Sequence, residues 1–171
     1  ESRFALSNTQ AGFRKRLCTH DQIARLEHQV RCTLVRREVG IAIFVDFKQA
    51  FDSVWHTGLL YKLAVMGITG PMLKWIGEYL RGRSFRVFHQ GSYSSERSIK
   101  SGVPQGSILS PLLFNVMTSD LPVNDGVMLA EYADDIMYYV SKPCAAEAQS
   151  CMQEQISSLF EWSKKWGMTV N

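Results

Sequence analysis

The sequence predicts an α+β domain built on a ferredoxin-like, split βαβ layer, and three observations lead there. The run Ile41-Ala42-Ile43-Phe44-Val45 ends on Asp46 and reads as a strand. Two further apolar runs, 127–133 and 136–140, flank the carboxylates of Asp134 and Asp135 and read as a hairpin. Around them, apolar residues recur at helical spacing and stop at Gly40, Gly67, Gly82 and Gly167. From Ile41 onward the order is β, α, α, a hairpin insertion, α, ββ, α, β, which is that of an elaborated split βαβ unit.

Size and composition bound the rest. A chain of 171 residues, 46% hydrophobic and 20% charged, can bury one sizeable core. A net charge of +3 is too small for electrostatics alone to assign a nucleic-acid partner, so any such contact must come from local clusters. No apolar run reaches the roughly 18 residues of a membrane span, and no charged head with an apolar stretch marks a secretory signal. The chain therefore reads as soluble and intracellular, with no membrane partner. It opens on Glu1 and stops at Asn171 as an apolar pattern resumes, so it is expected to be a piece of something longer.

The four cysteines form no Cys-x-x-Cys pair and read as reduced thiols. Cys18, His20, His28 and Cys32 could supply four zinc ligands, with His28 and Cys32 on one helix face. Their spacing matches no common zinc module, and small core residues are the other reading.

Taken in order, Gln10-Ala11-Gly12-Phe13 is a glycine-containing turn, and Arg14-Lys15-Arg16 after it could meet phosphates or form a solvated loop. Thr19 and Gln22 resemble a capping box, and Ile23, Leu26, Val30 and Leu34 give the following helix an apolar stripe. The run 41–45 has no polar interruption, which predicts a strand buried on both faces, with Asp46 at the edge where ligands collect. Leu59, Leu60, Leu63 and Ala64 mark a second helix, and Pro71 opens a third whose Leu73, Ile76 and Leu80 face inward. A β-hairpin is expected from about Ser84 to Lys100, and His56 and His89 read as structural.

The loop 101–107 carries two glycines and a proline, so its backbone can approach a ligand closely, and Gln105 there offers both a donor and an acceptor. A buried helix over 108–121 follows despite Pro111. Ala148, Met152, Ile156, Leu159 and Trp166 mark a long final helix closed by Gly167, after which a strand begins.

Adjacent carboxylates at 134 and 135 repel one another, and burial would raise their pKa values; a divalent cation reverses that and keeps both ionised. An ordinary polar hairpin tip is the other reading of the pair. In a split βαβ layer the first strand and the hairpin can be neighbours, which would bring Asp46 beside Asp134 although 88 positions separate them.

An Asp closing a strand, a Gly-Val-Pro-Gln-Gly-Ser loop and Tyr-Ala-Asp-Asp, in this order, resemble the three central motifs of a reverse transcriptase palm. The wording Gly-Val-Pro-Gln-Gly-Ser-Ile-Leu-Ser-Pro-Leu-Leu-Phe, with Ala-Phe-Asp-Ser-Val, is most similar to non-LTR (LINE-like) retrotransposons, and group II intron enzymes are more distant. The likeness runs from about Gln10 to the end of the chain. It implies a right-hand polymerase fragment: 1–40 a partial fingers segment, and 41–171 a palm with inserted helices and hairpin, ending before its last strand and the thumb.

The activity so implied is RNA-directed DNA polymerisation with two Mg²⁺ ions, replaceable by Mn²⁺, roughly 3.5–4 Å apart. By resemblance, Asp46 and Asp134 bridge the metals, Asp135 assists and the Phe47 carbonyl completes the shell. Phe51 falls where the family places an aromatic gate against a 2′-hydroxyl, Gln105 and Gly106 lie along the nascent base pair, and Tyr132 sits near the primer end. Implied partners are an RNA template, a DNA primer and dNTPs, together with missing fingers, thumb and endonuclease regions. The resemblance, and no signal in the sequence, implies work in nucleus and cytoplasm. The alternative is a truncated, non-catalytic remnant that at most binds nucleic acid. A nucleotide cyclase is the third reading, and Phe51 and the Pro-Gln-Gly loop speak against it.

Overall fold

Three antiparallel strands, in the order β1-β7-β6, carry the expected carboxylates. The structure is a computed structural model that describes residues 6–171; the first five positions of the 1–40 segment lie outside the described residues. β1 is Val39–Val45, β6 Val127–Tyr132 and β7 Asp135–Lys142. Val45 pairs with Ile136 and Tyr132 with Asp135, so the end of β1 lies beside the β6–β7 turn. On the free edge of β1, Val170 bridges Phe47, with Lys48 N–H donating to Thr169 O at 2.9 Å and Asn171 N–H to Asp46 O at 2.8 Å. The spatial order 170–β1–β7–β6 is the expected split βαβ arrangement.

One face of this sheet is covered by α5, Ala145–Trp166, which buries Ala148, Met152, Leu159, Trp162 and Trp166. Complete burial of a side chain such as Leu159 is worth about 1.5–3 kcal/mol. Gly167 ends the helix at φ +70°, a left-handed cap that glycine adopts without strain. α1, Thr19–Val35, covers the other face only in part: Thr33 is its one buried residue, and its hydroxyl lies 2.7 Å from that of Tyr139. Ile23, Val30 and Leu34 remain exposed, contrary to the expected inward stripe, because the helix meets the sheet near Thr33 and Leu26. The cap also differs. Cys18 is the N-cap, its N–H donating to the Asp21 carboxylate at 2.7 Å, so the pair is 18/21 and not 19/22.

The expectation that β1 is buried on both faces is likewise corrected. It is an outer strand of the three, and on its α1 side Phe44 is 75% exposed. An uninterrupted apolar run reads the same whether both faces are covered or one.

α2 (His56–Val65) packs against both α3 (Gly70–Leu80) and α4 (Ser110–Thr118), and all three share one hydrophobic core with the sheet and α5. α4 is shorter than the expected 108–121 and buries Phe114, Val116 and Met117 completely. Between α3 and α4 the predicted hairpin appears as two short ladders, β2–β5 (Ser84–Phe85 with Arg97–Ser98) and β3–β4 (Phe88–His89 with Ser92–Tyr93). Among the described residues no helix is long and apolar enough to cross a membrane.

Candidate active site

The β6–β7 connection is only two residues, Ala133 and Asp134, because Tyr132 and Asp135 already pair across the strands. The expected Asp-Asp tip is therefore an Ala-Asp tip, with Ala133 at φ +58° and Asp135 the first residue of β7. The two carboxylates face different surroundings. Asp134 lines an open cleft of about 670 Å³ together with Phe51, Gln105, Gly106 and Phe13. Asp135 and Tyr132 line a smaller hollow of about 150 Å³ on the α1 side, with Ile23, Phe44 and Met137. Of the expected residues, Phe51, Gln105, Gly106 and Asp134 are thus brought together; Tyr132 and Asp135 are not in that cleft.

Asp46 follows β1 directly and is exposed; its Oδ2 accepts from Asn171 Nδ2 at 3.0 Å. The register of β1 on β7 sets it next to the hairpin turn. The Phe47 side chain turns inward, 3% exposed, against Trp162 at 5.9 Å between ring centroids.

Phe51 is half-buried. Its ring stacks on Phe114 at 4.6 Å, and Phe13 meets it edge-on at 6.4 Å. The loop at 101–105 is stitched to the chain around Phe51: Gly102 N–H donates to Val54 O at 2.8 Å, Val103 N–H to Phe51 O at 2.9 Å and Ser101 Oγ to Asp52 O at 2.9 Å. His56 Nε2 donates to Gly102 O at 2.8 Å, the structural role expected of it. Gln105 is exposed, and its Nε2 donates to both Asp52 carboxylate oxygens at 3.2 and 3.3 Å.

Three participants were not singled out from the sequence. Asp52 orients Gln105, Phe13 walls the cleft, and Gln10 hydrogen-bonds the backbone of Ala133 on both sides. For Gln10 the signal was a polar residue two positions before a glycine, which by itself names no partner 123 positions away. Arg14 does not face the cleft; it donates to the carbonyls of Ser7 at 2.8 Å and Gln10 at 3.2 Å and so braces the turn. Behind the hairpin tip, Glu131 is 1% exposed, and burial pushes its carboxyl above the ordinary range although Ser7 and Thr9 hydroxyls donate to it.

Among the described residues no group of three or more His, Cys, Asp or Glu is gathered in a way that could hold a metal ion. Cys18 sits by His20 at 3.9 Å and Cys32 by His28 at 3.6 Å, two separate surface pairs with no four-ligand zinc site. Mg²⁺ needs less, since it keeps several waters and takes one or two carboxylates plus substrate phosphates. Asp46 and Asp134, two accessible carboxylates from neighbouring elements, fit that requirement.

Residues 4–171 match the sequence family described as reverse transcriptase (RNA-dependent DNA polymerase). The chain belongs to the reverse transcriptase family. It is 38% identical over 174 residues to a probable RNA-directed DNA polymerase from transposon BS of Drosophila melanogaster, covering 97% of this chain and 19% of that protein. It is 35% identical over 175 residues to the RNA-directed DNA polymerase from mobile element jockey of Drosophila funebris, with 98% and 19% covered. These likenesses to mobile-element polymerases bear out the LINE-like resemblance, and this reverse transcriptase chain spans about a fifth of the length of those relatives. Its fold resembles telomerase from Candida tropicalis, solved with a TWJ fragment of telomeric RNA, at TM-score 0.69 and 17% identity over 95% of this chain and 29% of that one. The helices and small sheets of this chain are those of a polymerase palm fragment.

Proposed function

We propose that this segment is the catalytic palm of an RNA-directed DNA polymerase that adds dNTPs to a primer 3′-hydroxyl on an RNA template during retrotransposition. The observation that carries the proposal is the shared cleft of Phe51, Gln105 and Asp134, with Asp46 set beside the hairpin turn by strand register. Asp46 and Asp134 would supply the hard oxygen ligands, and the Asp135 carboxylate and the Phe47 backbone carbonyl would assist. Two bound Mg²⁺ ions, or Mn²⁺ in their place, would stabilise the attacking and leaving oxygens of an in-line displacement.

The remaining work is positional. Phe51, held flat against Phe114, walls the sugar and leaves no space for a 2′-hydroxyl. Gln105, oriented by Asp52, lies along the base pair being formed, and Gly106, at φ +82°, lets the loop backbone approach it. Tyr132 borders the primer end from the far side of the hairpin. The fingers, thumb and endonuclease regions of the full-length protein complete the grip on template and primer.

The test is primer extension on an RNA template by the full-length protein, with Asp134→Asn beside it. Mg²⁺-dependent synthesis that vanishes in the variant supports the proposal. A folded protein that binds template-primer and Mg²⁺ but adds no nucleotide overturns it.

A further inference from the structure

The turn at 10–13 makes one contact that neither the motifs nor the proposed chemistry requires. Gln10 is 2% exposed, and its side-chain amide spans both backbone polar groups of Ala133: Oε1 accepts from Ala133 N–H at 2.9 Å, and Nε2 donates to Ala133 O at 3.0 Å. The same Oε1 accepts from Gly12 N–H at 2.7 Å. Two N–H groups facing Oε1 and a carbonyl facing Nε2 leave only one orientation of the amide, which carries the needed acceptor and donor on one uncharged group. Ala133 is the residue that needs holding. It sits at φ +58°, a conformation disfavoured for a side chain with Cβ, and it immediately precedes Asp134.

The clamp is itself anchored. Ala11 N–H donates to Glu131 O at 2.9 Å and Glu131 N–H to Thr9 O at 3.1 Å, so the 9–11 backbone runs as a parallel rung along β6. Asn115 of α4, 3% exposed, donates from Nδ2 to Gly12 O at 3.0 Å. The two chains approach so closely that a Cβ on Gly12 would lie 2.2 Å from Ala133 N. This is a rigid seat, built from three separate segments, for a turn of two residues.

We infer that Gln10 is a positioning residue of the catalytic centre: its amide holds Ala133 left-handed and thereby aims the Asp134 carboxylate into the cleft it shares with Phe51 and Gln105. The inference rests on the proposed polymerase reading. Gln10 touches neither nucleotide nor metal. Without its amide, Ala133 relaxes toward negative φ and the carboxylate swings, and a displacement of about 1 Å in a reacting group can lower a rate about a hundredfold.

The experiment compares the full-length protein with Gln10→Met, which fills the space without hydrogen bonds, and Gln10→Glu, which keeps both acceptor contacts but loses the donor to Ala133 O. Met152→Ala, on the buried face of α5 and away from the cleft, serves as a stability control. Three quantities are read: single-turnover nucleotide addition with its dNTP dissociation constant, Mn²⁺ affinity by electron paramagnetic resonance, and hydrogen exchange of the Ala133 amide. The expected result for Gln10→Met is a rate at least tenfold lower, a dNTP constant within twofold of wild type, Mn²⁺ affinity at least threefold weaker and faster Ala133 exchange. Gln10→Glu falls between, and Met152→Ala loses thermal stability but keeps its rate and Mn²⁺ affinity.

Wild-type rate and Mn²⁺ affinity in a folded Gln10→Met protein would overturn the inference. So would an equal loss of rate in the Met152→Ala control. If wild type adds no nucleotide, the polymerase reading falls first, and the positioning role is judged on Mn²⁺ affinity and Ala133 exchange. Either one unchanged in Gln10→Met then overturns it, and both changed support it.

Discussion

Phe51 stacks on Phe114 of α4 with ring centroids 4.6 Å apart and planes 19° from parallel, while its other side opens on the cleft that holds Asp134. A ring so backed cannot retreat from a substrate, because Phe114 is fully buried. Phe51→Ala is expected to admit ribonucleotides, with discrimination against rNTPs falling at least roughly tenfold. Competitive single-nucleotide incorporation measures this. The same variant should lose ~2 kcal/mol of stability in urea denaturation, below the ~3–5 kcal/mol of a fully buried Phe.

Gly102 presses on Asp52. A Cβ there would lie 2.7 Å from both Asp52 Cα and its carbonyl oxygen, and φ is +86°. Both the overlap and the left-handed backbone oppose any side chain, so Gly102→Ala should cost about 2–4 kcal/mol. It should also lift the 101–105 loop off the Phe51 turn and raise the KM for dNTP. Denaturation curves and steady-state kinetics on one preparation read both effects.

Asp52 acts at the end of that loop by holding the Gln105 amide. Both side chains are exposed, so Asp52→Ala is expected to change global stability by less than about 0.5 kcal/mol. Losing a hydrogen bond to a charged acceptor frees Gln105, and the KM for dNTP should rise roughly three- to tenfold, equivalent to about 1 kcal/mol. A KM equal to wild type would show that the loop backbone alone sets Gln105.

Lys62 gives a pH dependence of opposite sign to that of a lysine whose pKa a carboxylate partner raises. It is 5% exposed, donates to Met117 O and to Asp120, and lies 4.0 Å from the Trp166 ring centroid. Burial pulls its pKa from 10.5 to about 8, against the opposing pull of Asp120. Between those values the unfolded chain binds a proton that the folded chain does not, so stability rises with pH across that window. Relative to Lys62→Met, wild type should gain about 2–3 kcal/mol between pH 7.5 and 10.5. Urea midpoints across that range test it.

Much of this architecture was legible in the chain. The stop at Gly167 followed from periodicity and glycine placement, the pairing of the first strand with the hairpin followed from the split βαβ order, and the strand expected to begin after the long helix is a single bridge at Val170. Phe51, Gln105 and Gly106 were singled out by motif, and they share a cleft with Asp134. Two of the errors share one physical root. A run such as 41–45 or the stripe of α1 records how apolar a face is, not whether another element reaches it, so Phe44 and Ile23 were expected inside and lie outside.

The amino-acid order by itself determined the elements, their sequence along the chain and the residue types able to do nucleotidyl chemistry, because helical and strand periods and motif spacings are local. Only the tertiary structure decided that Asp134 and Asp135 face different hollows, that Asp52 holds Gln105, and that Gln10 grips Ala133 across 123 positions. Those contacts depend on strand register and on the direction of single side chains. Both are set by packing between segments far apart in the chain, where no local pattern carries information.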